Sequence, residues 1–346
     1  KPWPSSPKGF PMRLLFVLVL ILSAGWSGYW YVGATVQKSA IETWLDDQAG
    51  RTPQIRAGEV TTTGYPNRFD VILTDLAVEE PAAWAWTTPE LRVYALSYQP
   101  NKIIATLPPA QTLSLGAEEI QIAASRLAAS VHFGPTLSLP LRESIFETAD
   151  LALTSAEWEA TLARAQLAVR ESPLETAPPN TYDVAVDIED LRLPRQLLAE
   201  LDPNARLPET LSTVEARLAP VFDRPWDRFA AEGPPPELTS VAVERVLLSW
   251  GPIRIEASGD LEVDRLGRAD GRLTVSATNW REMLSLAEDA ALIEADQTRA
   301  ISRALDLMAR TSGSPDTLSI PLAFSGGRTR IGPIPIGPAP QLVYRQ

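Results

Sequence analysis

Few residues in this chain are suited to covalent or acid–base chemistry. The sole histidine is His132, within Ser130-Val-His-Phe133. A Ser-His-Asp site needs a nucleophile held in a strained turn and an acid to orient the imidazole, and no G-x-S-x-G occurs. The closest small-residue turns, Ser325-Gly-Gly327 and Thr311-Ser-Gly-Ser314, read as ordinary loops. His132 therefore reads as a strand residue, and no catalytic residue is expected. One histidine and no cysteine leave only carboxylates for a metal. Asp187, Glu189 and Asp190 could in principle hold calcium, but alternate acids on the solvent face of a strand explain them, and no D-x-[DN]-x-[DN]-G loop is present. Neither a metal nor a cofactor is expected. Glu79-Glu80, Glu118-Glu119 and Asp46-Asp47 are paired acids of the kind any acidic chain carries. No glycine-rich phosphate cradle occurs. Trp84 and Trp86 point to one face of a strand, as a sugar or lipid platform would require, but core or interface packing is the preferred reading.

The elements that would position such residues begin with an uncharged apolar run, Leu14–Val32, directly after Arg13. As a helix it would rise about 28 Å, close to the hydrocarbon thickness of a bilayer. It ends in Trp26, Tyr29, Trp30 and Tyr31, types that settle at a membrane–water interface. A cleaved signal peptide with core Leu14–Leu22 is the alternative, but no clean A-x-A site follows and the apolar sequence continues for about two more turns. Lys1, Lys8 and Arg13 precede the run with no acid among them, so the positive-inside rule keeps that end cytoplasmic and exports the rest. The expected layout is a cytoplasmic segment 1–13, a transmembrane anchor 14–32, a linker helix within 33–54, and an exported β-rich domain 55–346. This places the protein in the inner (plasma) membrane as a single-pass chain with a periplasmic C-terminal domain. Lys1–Pro11 reads as an upstream extension before a natural start at Met12.

The chain of 346 residues carries a net charge of −12. Without the three N-terminal cations, 28 basic residues face 43 acidic ones, a balance of −15. Phosphate backbones and anionic headgroups repel such a domain, and nucleic acid is excluded as a partner. With no cysteine, stability must come from core burial. Thirty-one prolines favour short strands joined by turns over long helices.

Thr35–Ala49 reads as an amphipathic helix closed by Gly50. From Ile55 onward strands dominate. Phe69, Val71 and Leu73 alternate with polar residues. Leu91–Ala95, Ile103–Leu107 and Ile120–Ile122 follow, with turns expected at Asn101-Lys102 and Pro108-Pro109. Val184, Val186 and Ile188 alternate with Asp183, Asp187 and Glu189 in the cleanest period-two segment. Val241–Val243, Ile253–Ile255, Leu261–Val263 and Leu273–Ala277 continue the pattern. Pro140–Glu147 and the Ala-rich Glu157–Ala168 could be helix or strand. Asn279 with Glu282 predicts a capping box for a helix continuing through Ile301, Leu305 and Met308 to Gly313-Ser-Pro315. Strands then return at Leu318–Ile320, a Gly326-Gly327 hairpin and Thr329–Ile336. The expected fold is mostly β or α+β, an antiparallel sheet of about a dozen strands with a few helices. The period-two pattern assigns Phe69, Val71, Leu73, Val184, Val186, Ile188, Leu273 and Val275 to the apolar side of their own strands, and a sheet with one apolar face must curl around something, pack on helices or hold a greasy ligand.

Gly64-Tyr65-Pro66 with Arg68-Phe69, the segment Tyr98–Ile104, and a C-terminal block containing Gly332-Pro333 and Gly337-Pro338 together resemble the bacterial "domain of unknown function 2125" family from Met12 onward. That resemblance supplies no catalytic residues. It implies a layout similar to AsmA-like envelope proteins: an inner-membrane helix and an elongated, curled sheet whose apolar concave face accommodates lipid chains. The leading expectation is a non-enzymatic, membrane-anchored protein presenting that face to a lipid or a protein partner. The alternatives are an assembly subunit of a membrane complex, using Leu14–Val32 and the helix from Asn279 to Ala309 as contact surfaces, and an unrecognised hydrolase. His132→Ala should leave cellular function intact at unchanged protein abundance; loss of function without loss of thermal stability would contradict the structural role given to His132.

Overall fold

The computed structural model describes residues 12–48, 50–291, 293–294, 298–299, 301–303, 305–306 and 316–344. The expected cytoplasmic extension Lys1–Pro11 lies outside the described residues, as do Met308 and Gly313–Pro315. The chain opens with one helix, α1 (Met12–Gln48). It passes unbroken through the apolar run and the amphipathic segment that the sequence divides at residue 33, because no proline interrupts it. At 37 residues it is about 56 Å long.

Strands follow as β1 (Gln54–Arg56), β2 (Val60–Thr63), β3 (Arg68–Glu80), β4 (Trp84–Leu96), β5 (Gln99–Thr106), β6 (Ala110–Leu115), β7 (Glu118–Ala123), β8 (Arg126–Phe133), β9 (Leu141–Thr154), β10 (Glu159–Glu171) and β11 (Tyr182–Arg192). Helix α2 (Arg195–Leu201) precedes β12 (Thr210–Phe222), and α3 (Arg228–Glu232) precedes β13 (Leu238–Trp250). The remaining elements are β14 (Ile253–Val263), β15 (Ala269–Thr278), α4 (Trp280–Asp289), β16 (Thr317–Ser325), β17 (Arg328–Ile331) and β18 (Ile334–Pro338). The helix expected to run from Asn279 through Ile301 and Leu305 is not continuous: α4 stops at Asp289, Ala291 has φ 56°, and helical residues resume at 298–299, 301–303 and 305–306.

All eighteen strands belong to one sheet, and every pairing between them is antiparallel. β1 and β2 both flank β3. β4 divides its partners: Trp84–Thr87 pairs with β6, and Arg92–Leu96 with β5. The two branches, β5–β8 and β6–β7, rejoin at β9. From β9 to β18 the chain meanders through successive neighbours. Pro335 and Pro338 are tolerated on β18 because it ends the sheet, where a missing N–H breaks no central ladder.

Several local expectations resolve against the structure. Pro140–Glu147 and Glu157–Ala168 supply β9 and β10, since Leu167 and Val169 alternate with Gln166, Ala168 and Arg170 in period two. Asn101-Lys102 is not a turn but lies inside β5; the chain reverses at Ser97-Tyr98 instead, where Ser97 N–H donates to the Asn67 carbonyl at 3.0 Å. Asn279 does precede α4, yet it adopts φ 58° and makes no capping bond. Its side-chain amide donates to the Pro252 carbonyl across the sheet, so no capping box with Glu282 forms.

Register carries the apolar residues of successive strands into line. One row runs Val71, Val93, Ala105, Ala129, Phe146, Leu167, Val186, Ala216, Val246, Ala257, Val275 and Ile320 from β3 to β16. A parallel row includes Phe69, Ile103, Val131, Val184, Leu218, Val243 and Leu273. Directly paired residues share a face of the sheet, so these rows form one apolar surface.

The strands keep this surface by a repeated backbone device. In β3 the buried apolar side chains run Phe69, Val71, Leu73 and then Leu76, so their spacing changes from two to three at Asp75, whose φ is 48°. Asp150 in β9 and Asp190 in β11 have φ 50° and 53°, each directly before a leucine. Aspartate visits this left-handed region more cheaply than other side chains of its size. Where β14 meets β15, Gly259 and Gly271 serve instead, because a Cβ would sit 2.2 Å from the Arg272 carbonyl and 2.3 Å from that of Asp260. Leu318 is only 2 % exposed between Ala277 and Trp280. Leu318→Ala should lower stability by about 2–5 kcal/mol in urea unfolding; an unchanged midpoint would contradict close packing there.

Candidate functional site

The apolar face is covered at both of its ends. Over β2 to β4 it is α1 that lies on it: Ile41 and Leu45 pack with Val60, Val71 and Leu73. Further along the helix, the Trp30 ring stacks on Phe69 with centroids 6.0 Å apart, and a Cβ on Gly33 would lie 2.8 Å from the Phe69 ring. Phe69, Val71 and Leu73 are accordingly closed core. Over β14 to β16, α4 packs Met283, Leu284 and Leu286 against Ile253, Ala277 and Leu318. Ala339 and Leu342 cover Leu261, Leu273 and Phe324 near the other strand ends.

A strap bridges part of the span between. Tyr182, Phe222 and Trp226 form edge-to-face pairs, and the loop continues to the β8–β9 connection. There Leu141 N–H donates to the Trp226 carbonyl at 2.7 Å, and Arg228 N–H to that of Ser138 at 3.0 Å. This leaves the middle of the face open. Phe146 and Leu167 are 38 % and 42 % exposed, with half-buried Val184, Val186 and Ile188 beside them. From β5 to β12 that stretch measures about 24 Å across the strands. Val275 is also half-buried, nearer α4. The eight assigned residues therefore share one face of the sheet but meet three environments: β3 under a helix, β11 at the opening, and β15 beside the far cover.

The opposite face is polar and laced with ion pairs: Arg170 with Asp183, Arg217 with Asp187, and Arg245 with Glu215 and Glu256. Hydrogen bonds from Arg254 hold the Glu256 carboxyl below the usual range. Two clefts of about 490 and 590 Å³ lie beneath the loop containing Leu174 and include Asp183 and Glu244 in their walls. Arg170 and Asp183 are already satisfied by each other at 3.0 Å, which makes this a poor receptacle for an apolar chain. His132 sits on β8 in register with Lys102 and Glu143. Trp84 and Trp86 are half-buried on β4 and donate to Glu80 and Gln111. Among the described residues no group of three or more His, Asp or Glu is placed to hold a metal.

A second site joins α1 to the sheet. Trp26 Nε1 donates to the Pro66 carbonyl at 2.7 Å, and Trp30 Nε1 to the Arg68 carbonyl at 2.7 Å. The Tyr29 hydroxyl donates to the Ser97 carbonyl at 3.0 Å. Tyr65 meets the Trp30 ring edge-on, and its hydroxyl lies 2.8 Å from Ser27 Oγ. Gly64 makes the turn possible with φ 98°, where a Cβ would crowd the Arg68 carbonyl at 2.9 Å. Gly64, Tyr65 and Pro66 are thus the seat of the helix. Gly332 and Pro333 form the β17–β18 turn, and Gly337 and Pro338 lie on β18, away from that seat. Reading the sequence for strands missed this docking. Its signal was the spacing of Trp26, Trp30 and Gly33, i, i+4 and i+7 on one helix face. Before this seat, Leu14–Leu22 project free of the sheet at 47–64 % exposure. The helix is long and apolar enough to cross a membrane.

Residues 30–340 match the family described as an uncharacterized protein conserved in bacteria (DUF2125), and the chain belongs to that family. No curated protein and no solved structure matches the chain. Trp30→Ala should weaken the seat by about 1–3 kcal/mol and speed hydrogen exchange across residues 34–45. Unchanged protection of those amides would contradict the docking.

Proposed function

We propose that this chain is a non-enzymatic, membrane-anchored envelope protein that shelters the apolar chain of a lipid on the open middle of its sheet. The observation that carries this reading is the unbroken apolar row from β3 to β16, covered at both ends but with Phe146 and Leu167 exposed between them. Such side chains gain roughly 1.5–3 kcal/mol each on burial, so a stretch of them is a standing site for an apolar occupant. The polar face, tied up in its own ion pairs, offers no competing surface for acyl chains.

Anchoring is by the free apolar start of Leu14–Val32, ahead of the seat, with Trp26, Tyr29 and Trp30 at the membrane–water interface where they meet the sheet. The helix continues without a break from that run into the segment seated on the sheet, which favours a retained anchor over a cleaved peptide. Lys1, Lys8 and Arg13 put the N-terminal side in the cytoplasm and the sheet in the periplasm. The layout is similar to the AsmA-like proteins, and at about 67 Å for fifteen strand layers the sheet is short for a bridge between two membranes. Handing lipid to a partner, or regulating one, suits that length better than acting as a lone conduit.

Two aspartate substitutions separate an open face from a closed core. Val71→Asp, beneath α1 at 2 % exposure, should cost several kcal/mol or unfold the domain. Val186→Asp, at the opening, should leave folding intact while the lipid that co-purifies in mild detergent, read by mass spectrometry, falls. Unfolding by both would show that the face is closed. A stoichiometric polypeptide in place of lipid would favour the assembly-subunit reading.

A further inference from the structure

The strand ends beside which α1 leaves the sheet carry a row of exposed apolar side chains. Tyr65 in the β2–β3 turn is 57 % exposed and Tyr98 in the β4–β5 turn 61 %. In the β8–β9 loop Leu137 is 87 % and Leu139 39 % exposed. In the connections at the opposite ends of these strands, 81–83, 107–109, 116–117, 124–125 and 155–158, the only large apolar residues are Leu107 and Trp158, and both are half-buried. Helix α1 lies along β3, with Trp26 at Pro66 and Leu45 at Val71 and Leu73, so its free apolar half projects beyond the same ends that bear Tyr65 and Tyr98. The turns are fixed at that level: Asn67 and Ser97 are joined by a backbone bond of 3.0 Å, and Asn101 Nδ2 donates to the Phe133 carbonyl at 2.8 Å. Three strand spacings, about 14 Å, separate β3 from β8.

Charge points the same way. The segments 64–68, 97–102 and 133–142 contain Arg68, Lys102 and Arg142 and no acidic residue, within a chain that has 43 acids against 31 bases. Arg68 and Arg142 also pair with Asp70 and Glu171, which lie outside these segments. With Arg68 and Arg142 paired, this edge is near charge balance and does not carry the acidic excess of the chain as a whole. Aromatic and leucine side chains flanked by cations are suited to the headgroup–acyl boundary.

We propose that Tyr65, Tyr98, Leu137 and Leu139 insert into the surface of the same bilayer that holds α1, so that the sheet stands on the membrane with its first strands upright. This rests on the reading of Leu14–Val32 as a membrane span. The open apolar stretch between β5 and β12 then begins next to the lipid surface, and an acyl chain reaches it without crossing bulk water.

The absence of native cysteine allows single labels in the full chain. Tyr98→Cys, Leu137→Cys, Ala82→Cys and Leu18→Cys would each carry an environment-sensitive nitrobenzoxadiazole fluorophore in vesicles of phosphatidylcholine with phosphatidylglycerol. Labels at 98 and 137 should show blue-shifted emission, quenching by doxyl lipid and loss of quenching by aqueous iodide. The label at 82 should behave as in water. Lipid quenching at 18 with water-like behaviour at 98 and 137 overturns this inference and leaves the span standing. Water-like behaviour at 18 as well overturns both. Since all four positions are exposed, none of these substitutions removes a core contact.

Discussion

A sheet that keeps one face apolar across twelve successive strand layers creates more greasy surface than the helices among the described residues cover. Antiparallel register is what imposes this. Because directly paired residues share a face, the period-two choice made in β3 is passed to each neighbour as far as β16. Each strand has a polar side that finds partners at once in its neighbours' charges, as with Arg170 and Asp183 or Arg217 and Asp187. The apolar side has no such local remedy. It must be capped from elsewhere in the chain, and α1, the strap through Trp226, α4 and the C-terminal segment each cap one part of it.

The first of these caps has two environments. Its N-terminal half is too apolar for water, and its C-terminal half gives Ile41 and Leu45 to the core. Between them the Trp26–Gly33 stretch is bonded to the Gly64–Phe69 turn, which fixes the direction in which the free half projects. A helix that was only an anchor could be joined by a mobile linker. Under the proposed reading of the free half as a membrane anchor, the seat would set the attitude of the sheet relative to the bilayer, and with it the side from which the open part of the face is approached.

How far this was legible in the sequence follows from the range of the interactions involved. Alternation within a strand is local, so Phe69–Leu73, Val184–Ile188 and Leu273–Val275 announce both strand and face. The hydrophobic run before Trp26 is equally plain. The cover over each strand is a long-range fact. Nothing adjacent to Val71 in sequence distinguishes it from Val186, yet the first lies beneath a helix and the second at an opening. Asn101-Lys102 has turn-forming residue types, but pairing with β4 and β8 holds it in a strand. Propensity misleads at Glu157–Ala168 because its alanines favour a helix in isolation, whereas pairing with β9 and β11 on both sides holds it as a strand. The kinks at Asp75, Asp150 and Asp190 did leave a trace, a step from two to three in apolar spacing beside an aspartate, which a strict period-two reading passes over.

The central claim is that lipid, and no other part of the chain, covers the middle of the apolar face. Gln166 and Leu167 are adjacent on β10 and point to opposite faces. A photo-crosslinking amino acid placed at each position in turn, in the full-length protein in its native membrane, tests the claim directly once the irradiated adducts are identified by mass spectrometry. The account predicts lipid adducts at Leu167 and none at Gln166. Equal labelling at both positions, or adducts at Leu167 formed only with polypeptide, would contradict it.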